Sequence, residues 1–347
     1  MTAHNTEGVR WPQERYRTLR GDPDARLLLR ARAAVVAALR RWLDGAGFVE
    51  IDTPLLQPVG TGRVQPFRVA VRALDQQLAL RSSPLYLRGM LAGGFEQVYE
   101  VARSFRDEPP DATHLPEYTL VEIFHAHADH AMMRHLAWTL VHEAARAARG
   151  CLGQTRQHLS GRWPITDIYD ALGRVLDQHI SPETTAAQLR DLAAAHAPSL
   201  DATSADEIVL ALYDRLVEPA TSEPTFYTGY PASCAPLAER DPVDERRAQK
   251  WDLVIGGREI ATAYTELSDP AELRRRFRRL RHRHTEADTI DERMLAVFDL
   301  GMPPAAGLCI GLDRLMLTLT RAESVHEIVP VPIAPHPRRR TPSRSAR

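Results

Sequence analysis

The sequence predicts an α+β fold in which an antiparallel β-sheet is flanked by helices. Three observations carry this. Helix-like and strand-like stretches are interspersed without regular βαβ alternation, which argues against a parallel doubly wound sheet. Neither a Walker A loop nor a GxGxxG fingerprint occurs in the 347 residues, and no internal repeat is visible. With 44% apolar residues, a chain of this length can bury a substantial core.

Taken in order, Arg26 to Gly47 reads as a long amphipathic helix, because Leu29, Val35, Val36, Leu39, Trp42 and Leu43 recur at near-helical spacing among arginines. Phe48 to Pro54 then alternates apolar and polar residues as a strand, which Pro54 ends. Further strands are expected at Phe67 to Val71, Gln77 to Leu80, Gln97 to Val101 and Tyr118 to Phe124. A helix from Met132 to Ala148 precedes an Ala-rich, weakly periodic region from Thr184 to Val217. The last third returns to strands at Lys250 to Ile255, Glu259 to Ala263 and Gly307 to Ile310, with an Arg-rich helix, Glu272 to Arg283, between them. The chain divides into an N-terminal extension (1–22), one catalytic domain (23–334) and a basic, disordered tail (335–347) with no large apolar residue to dock it.

Lys+Arg 44 against Asp+Glu 45 gives a net charge of -1, which excludes the global positive field of a dedicated nucleic-acid binder. Cys151, Cys234 and Cys309 are scattered, with no CxxC pair, which suits a reducing cytoplasm better than a disulfide scaffold. The N-terminus has no apolar core of a signal peptide, and no run approaches the ~18 apolar residues of a membrane span, so a soluble cytoplasmic protein is expected.

Three constellations could carry chemistry. In Ser104-Phe105-Arg106-Asp107-Glu108 and His114-Leu115-Pro116-Glu117-Tyr118, two strands joined by a Pro-containing loop would gather Arg106, Glu108 and Tyr118 at one hairpin end. There a guanidinium can grip a phosphate, a carboxylate can accept from an exocyclic amine and a ring can stack on a base. A salt-bridged surface hairpin is the alternative. In the second, Gly307 to Met316, an apolar strand runs through Gly311 into a helix whose first turn carries Arg314. A cation there opposes the helix dipole, so an anionic ligand would explain it, although a structural turn remains open. The third pairs Asp252 with Glu259 across a Gly256-Gly257 turn, a natural Mg²⁺ pair when a polyphosphate supplies the other ligands, or else two solvated acids on a sheet edge. Odd spacing puts Glu259 and Glu266 on opposite faces of a regular strand, so a bulge near Thr262 is needed if both serve one site.

In this order the segments resemble motifs 2 and 3 of class II aminoacyl-tRNA synthetases and the metal-binding strands between them, with the lysyl enzymes as the nearest pattern. Arg15-Tyr16, Gly47 to Pro58 as motif 1, Gly93 to Glu100, Tyr230 to Ser233, Gly256 to Ile260 and Gly301 to Pro304 extend the resemblance over most of the chain. It implies the class II catalytic fold, a homodimer through motif 1, bound ATP and Mg²⁺, and an aminoacyl-adenylate as product. Position by position it assigns the α-phosphate to Arg106, the adenine amine to Glu108, the adenine face to Tyr118 and the γ-phosphate to Arg314. His114 joins the ATP-binding set, and Asp252 and Glu259 take the metal. Arg106 and Arg314 are the catalytic pair. A lysine-type substrate would meet Ser82, Glu122, Phe124, Thr262, Tyr264 and Glu266, with Glu266 as the main partner of its ammonium group.

Too few residues precede Arg26 for the anticodon-binding barrel of a lysyl enzyme, which resembles the stand-alone paralogue that lysylates elongation factor P. Pro84 falls where a Glu usually meets the substrate α-amine, Phe124 replaces a tyrosine and Thr113 replaces an arginine. Three functions therefore stand side by side: a ligase delivering a lysine-type group to a protein lysine or small amine, a ligase charging the tRNA acceptor stem, and a non-catalytic paralogue. Neither reading of the acceptor involves a membrane.

Overall fold

A computed structural model describes residues 7–58, 65–157, 159–196, 202, 204–281 and 292–332. The chain opens with helices α1 (Glu7–Gly21) and α2 (Pro23–Gly45), strands β1 (Val49–Glu50), β2 (Leu56–Gln57), β3 (Arg68–Val71) and β4 (Gln76–Leu80), and helix α3 (Leu85–Ala92). A long hairpin of β5 (Gln97–Phe105) and β6 (Glu117–Ala126) leads into α4 (His130–Leu152). Then come β7 (Ile165–Asp167), α5 (Ile168–Leu176), α6 (Ala186–His196), α7 (Ala205–Leu212) and a π-helical turn, Tyr213–Val217. The last part holds β8 (Thr225–Thr228), β9 (Lys250–Val254), β10 (Glu259–Thr265), α8 (Pro270–Arg281), α9 (Glu292–Phe298), β11 (Ala305–Gly311), α10 (Leu312–Leu319) and α11 (Val325–Ile328).

Eight strands form one sheet in the order β1-β5-β6-β11-β10-β9-β8-β7, and β2-β4-β3 form a small second sheet. The expected antiparallel sheet is therefore mixed: every pair from β5 to β8 is antiparallel, but β1 joins β5 and β7 joins β8 in parallel. Both edge strands arrive by crossovers that a tight hairpin could not make. The predicted strand from Phe48 shrinks to β1 because Thr53 turns its N–H and hydroxyl to Glu100 Oε2, at 3.2 and 2.6 Å, instead of continuing the ladder. β5 exceeds its expected end, since Arg103, Ser104 and Phe105 still pair with Thr119, Tyr118 and Glu117.

Strand alternation divides the residues between two faces. Val121, Ile123, Trp251, Leu253, Ala263, Leu308 and Ile310 point to the face covered by α2 and α4, where they pack with Leu39, Leu43, Leu140 and Val141 in the main core. Residues between them face the other way. One rung across the sheet aligns Glu100, Glu122, Cys309, Thr262 and Asp252, and the next aligns Val98, Phe124, Gly307, Tyr264 and Lys250. A separate cluster of Leu172, Ile208, Leu212, Tyr213 and Tyr227 organises the Ala-rich segment, which divides into α6, α7 and the π-turn.

Within the residues assigned to an N-terminal extension, α1 is docked through Arg15. Arg15 of α1 donates to the carbonyls of Pro330, Glu327 and Val329 at 3.1, 2.9 and 2.8 Å, and Asp22 caps α2 by accepting from the Asp24 N–H. The Arg-rich helix is described to Arg281, while its last two predicted residues and the tail 335–347 lie outside the described residues.

Candidate active site

A cavity of about 290 Å³ opens on the face opposite the main core, bordered by β6, β10, β11, the β5–β6 loop and the start of α10. Of the residues expected there, Ser82, Arg106, Glu108, His114, Tyr118, Glu122, Glu259, Thr262, Tyr264 and Arg314 line it, as does Thr113. Phe124, Glu266 and Asp252 do not line it.

At one end Arg106 Nε donates to the Tyr118 hydroxyl at 2.9 Å, and that hydroxyl donates to the Ser82 carbonyl at 2.8 Å. The guanidinium carbon lies 5.3 Å from the Tyr118 ring centroid. Burial works against the charge of Arg106, but Tyr118, Glu108 and Glu259 more than offset it and hold the group cationic. Opposite, Arg314 Nη1 donates to the Glu259 carbonyl at 3.2 Å and Nη2 donates to His114 Nε2 at 2.7 Å. An arginine cannot accept, so His114 Nε2 carries the lone pair and Nδ1–H faces Asp111 Oδ2 at 2.9 Å. Asp313 fixes the start of α10 by pairing with Arg32 at 2.6 Å and accepting from the Thr119 N–H at 2.9 Å. The two guanidinium groups thus reach one cavity from loop and helix positions 208 residues apart, the difference between 314 and 106.

The expected metal pair is only half presented. Glu259 borders the cavity, and burial followed by the charge of Asp252 pushes its carboxyl above the ordinary range. Asp252 is engaged by Lys250, whose ammonium also lies 3.8 Å from the Tyr230 ring centroid. Two acids that carry no motif signal complete this end. Glu218 accepts from the Glu259 N–H at 3.0 Å, and Asp214, raised to about 6 by burial and then by Glu259 and Asp252, sits on the π-turn. Among the described residues no three acidic, His or Cys side chains form a ready metal cage. Mg²⁺ typically takes one or two carboxylates and completes its shell with phosphate and water oxygens, so Glu259, whose side-chain cation contact is Arg314 at 3.9 Å, suits such a role.

The bulge expected near Thr262 occurs slightly earlier, as a register shift between Glu259 and Ala261. It brings Glu259 onto the face shared by Thr262 and Tyr264. Glu266, just past the strand, continues on that face beneath Gly307. A Cβ built at Gly307 would run into Glu266 Oε1 and stand 2.8 Å from Phe124 Cε1, so only glycine leaves this path open.

Glu122 and Glu266 are 7% and 1% exposed, and burial pushes both carboxyls up to about 7. Glu122 Oε2 and Glu266 Oε1 have no hydrogen-bond partner. Glu266, the expected partner of a substrate ammonium, has its other oxygen held by Arg88 Nη1 at 2.5 Å. A charged residue inside the apolar helix Leu85-Tyr-Leu-Arg-Gly-Met-Leu-Ala was the readable sign of a buried partner. Pro84 is the residue preceding α3, and no side chain caps that helix.

The sequence profile of the family described as tRNA synthetases class II (D, K and N) matches residues 9–335. The chain is 39% identical over 336 residues to the lysylphosphatidylglycerol biosynthesis bifunctional protein LysX of Mycolicibacterium gilvum. It is 38% identical over 351 residues to LysX of Mycobacterium avium and 36% over 337 residues to LysX of Nocardia farcinica. These alignments cover 92–95% of the chain but only 30% of each relative, so the chain spans about a third of the length of the proteins it matches. No helix among the described residues is long and apolar enough to cross a membrane. This chain belongs to the class II tRNA synthetases of the D, K and N group, a family of ATP-dependent ligases.

Proposed function

We propose that this chain condenses ATP with lysine or a lysine-like amino acid, β-amino acids included, to form an aminoacyl-adenylate, and passes the acyl group to a non-tRNA amine. One observation carries the reading: guanidinium groups from two distant segments line the same cavity as the buried Glu122, with the buried Glu266 directly beneath the lining residue Gly307, and each of these acids has an oxygen without a hydrogen bond. Cationic walls suit a triphosphate and an anionic floor suits an ammonium group. The lysyl product in the names of the LysX relatives agrees with the amino acid.

In this reading Arg106 holds the α-phosphate, Arg314 with His114 holds the γ-phosphate, and Glu108 and Tyr118 receive the adenine. The substrate carboxylate attacks the α-phosphorus in line; a C–O–P linkage forms as the bond to the β-phosphate oxygen breaks, and pyrophosphate leaves with the electron pair. No proton transfer and no protein nucleophile is needed, so catalysis is positioning and charge neutralisation. Mg²⁺ at Glu259 would supply further neutralisation of the phosphates. Exposed Val49, Leu55 and Leu56, 43%, 43% and 40% accessible, line the β1–β2 edge and support a homodimer there.

Pyrophosphate exchange with a panel of amino acids tests the reading, and no exchange with lysine, β-lysine or their analogues would refute it. The net charge of -1 supports an acceptor other than RNA, whereas the family's name favours tRNA. Labelled lysine offered to total tRNA, elongation factor P and small amines decides between them.

A further inference from the structure

At and behind the floor of the cavity lie three buried carboxylates and two buried guanidinium groups, of which only Glu122 lines the cavity itself, and their pairing is unequal. Glu100 is matched by Arg81, at 2.5 Å, and Arg81 spends its remaining donors on Arg103 O, Thr53 O and the Thr53 hydroxyl. Glu266 is matched by Arg88, also at 2.5 Å. Glu122 has the Cys309 thiol as its hydrogen-bond neighbour and feels Arg88, Glu266 and Glu100 only as nearby charges. Lys250, one strand beyond Tyr264, is committed to Asp252. Glu122 is therefore the one of these three carboxylates that no arginine binds.

Arg88 is fully buried on α3, with its guanidinium carbon 4.7 Å from the Phe298 ring centroid, and its Nε and Nη2 have no hydrogen-bond partner. An arginine held so incompletely is a costly way to fill space, and an apolar side chain would pack there more cheaply if Glu266 did not need a cation. Because Arg88 takes Oε2, Glu266 is left with Oε1 buried directly beneath Gly307, which itself lines the cavity.

Resting on the reading that this cavity activates an amino acid, we infer that Arg88 is a specificity-determining positioning residue. It anchors Glu266 with its free oxygen toward Gly307 and cancels one of two neighbouring charges, so that the floor accepts a single substrate ammonium shared between Glu122 and Glu266. Without Arg88 the two acids face each other unrelieved, the proton they already hold near neutrality is held more tightly, and the ammonium must displace it.

Lysine binding by calorimetry and pyrophosphate exchange across pH 6 to 9 test this on the wild type, Arg88→Lys, Arg88→Met and the double variant Arg88→Met/Glu266→Gln. Arg88→Met should raise the lysine KM roughly tenfold at pH 7 while leaving the ATP KM in place, and move the pH of half-lost lysine affinity upward by about one unit. Arg88→Lys should restore both. The double variant leaves no unpaired charge beside Glu122, so it serves if Arg88→Met fails to fold; its midpoint should match the wild type although its affinity is lower. An unmoved lysine KM and midpoint in Arg88→Met, equal effects on lysine and ATP, or a raised midpoint in the double variant would overturn the inference alone. A wild-type protein that neither binds lysine nor exchanges pyrophosphate with it would overturn the underlying reading as well.

Discussion

Replacing Glu122 with Gln removes the buried, cavity-lining carboxylate that no arginine binds while preserving its shape. The side chain is 7% exposed and its Oε2 is unpartnered, so a substrate ammonium placed there gains a charge-assisted contact that water barely screens. Truncating one member of a buried charge pair costs about 3–5 kcal/mol. Two features reduce that here: Glu266 Oε1 remains as a second acceptor, and a carboxyl raised to about 7 is only half ionised at neutral pH. About 2–3 kcal/mol is left, a rise of roughly 30- to 150-fold in the lysine KM at about 1.4 kcal/mol per decade. Pyrophosphate exchange under saturating ATP reads this directly, with the ATP KM as the internal control. In the wild type the lysine KM should climb as pH falls below 7, because the receiving carboxyls take up protons, and the climb should be shallower in Glu122→Gln. A lysine KM within threefold of wild type, or a parallel rise in the ATP KM, would refute the placement of the amino acid at this floor.

Arg314→Ala should cut exchange by at least 100-fold, about 2.7 kcal/mol in the transition state, and leave the melting temperature nearly unchanged, because the side chain is 28% exposed and packs in no core cluster. Gly307→Ala should abolish binding of cationic amino acids while ATP still binds, since the new methyl would occupy the space in front of Glu266 Oε1; retained lysine activation would show that the substrate takes another route. Without ligand, Glu122 and Glu266 bind protons more tightly folded than unfolded, so stability should decline as pH rises from 5 to 8, and Glu122→Gln should flatten that decline in thermal denaturation. Arg81→Met should destabilise the protein by about 3–5 kcal/mol in urea unfolding by leaving Glu100 buried without its cation, and the double variant Arg81→Met/Glu100→Gln should recover most of the loss.

Periodicity alone was enough to locate α2, α4 and the β5–β6 hairpin, because each presents an apolar stripe or alternation to a core on one side. The Gly256-Gly257 turn was also legible. Both residues have positive φ, 58° and 73°, which glycine adopts without strain, and they return the chain from β9 to β10. Resemblance in short motifs located Arg106, Glu108, Tyr118, Glu259 and Arg314, all of which border one cavity.

Tertiary structure decided the charge pairing. Nothing local links Arg88 to Glu266, 178 residues apart, or reveals that one glutamate is neutralised and another left free. The same holds for Asp214 and Glu218, which lie in and just after an Ala-rich segment and which the π-turn brings close to Glu259, and for the parallel edge strands, whose partners lie far along the chain. Local pattern reports which face of an element is apolar, because burial repeats with the period of the backbone. Which ionisable group meets which depends on packing between elements in a medium of low dielectric, where a few ångströms decide the balance of charge.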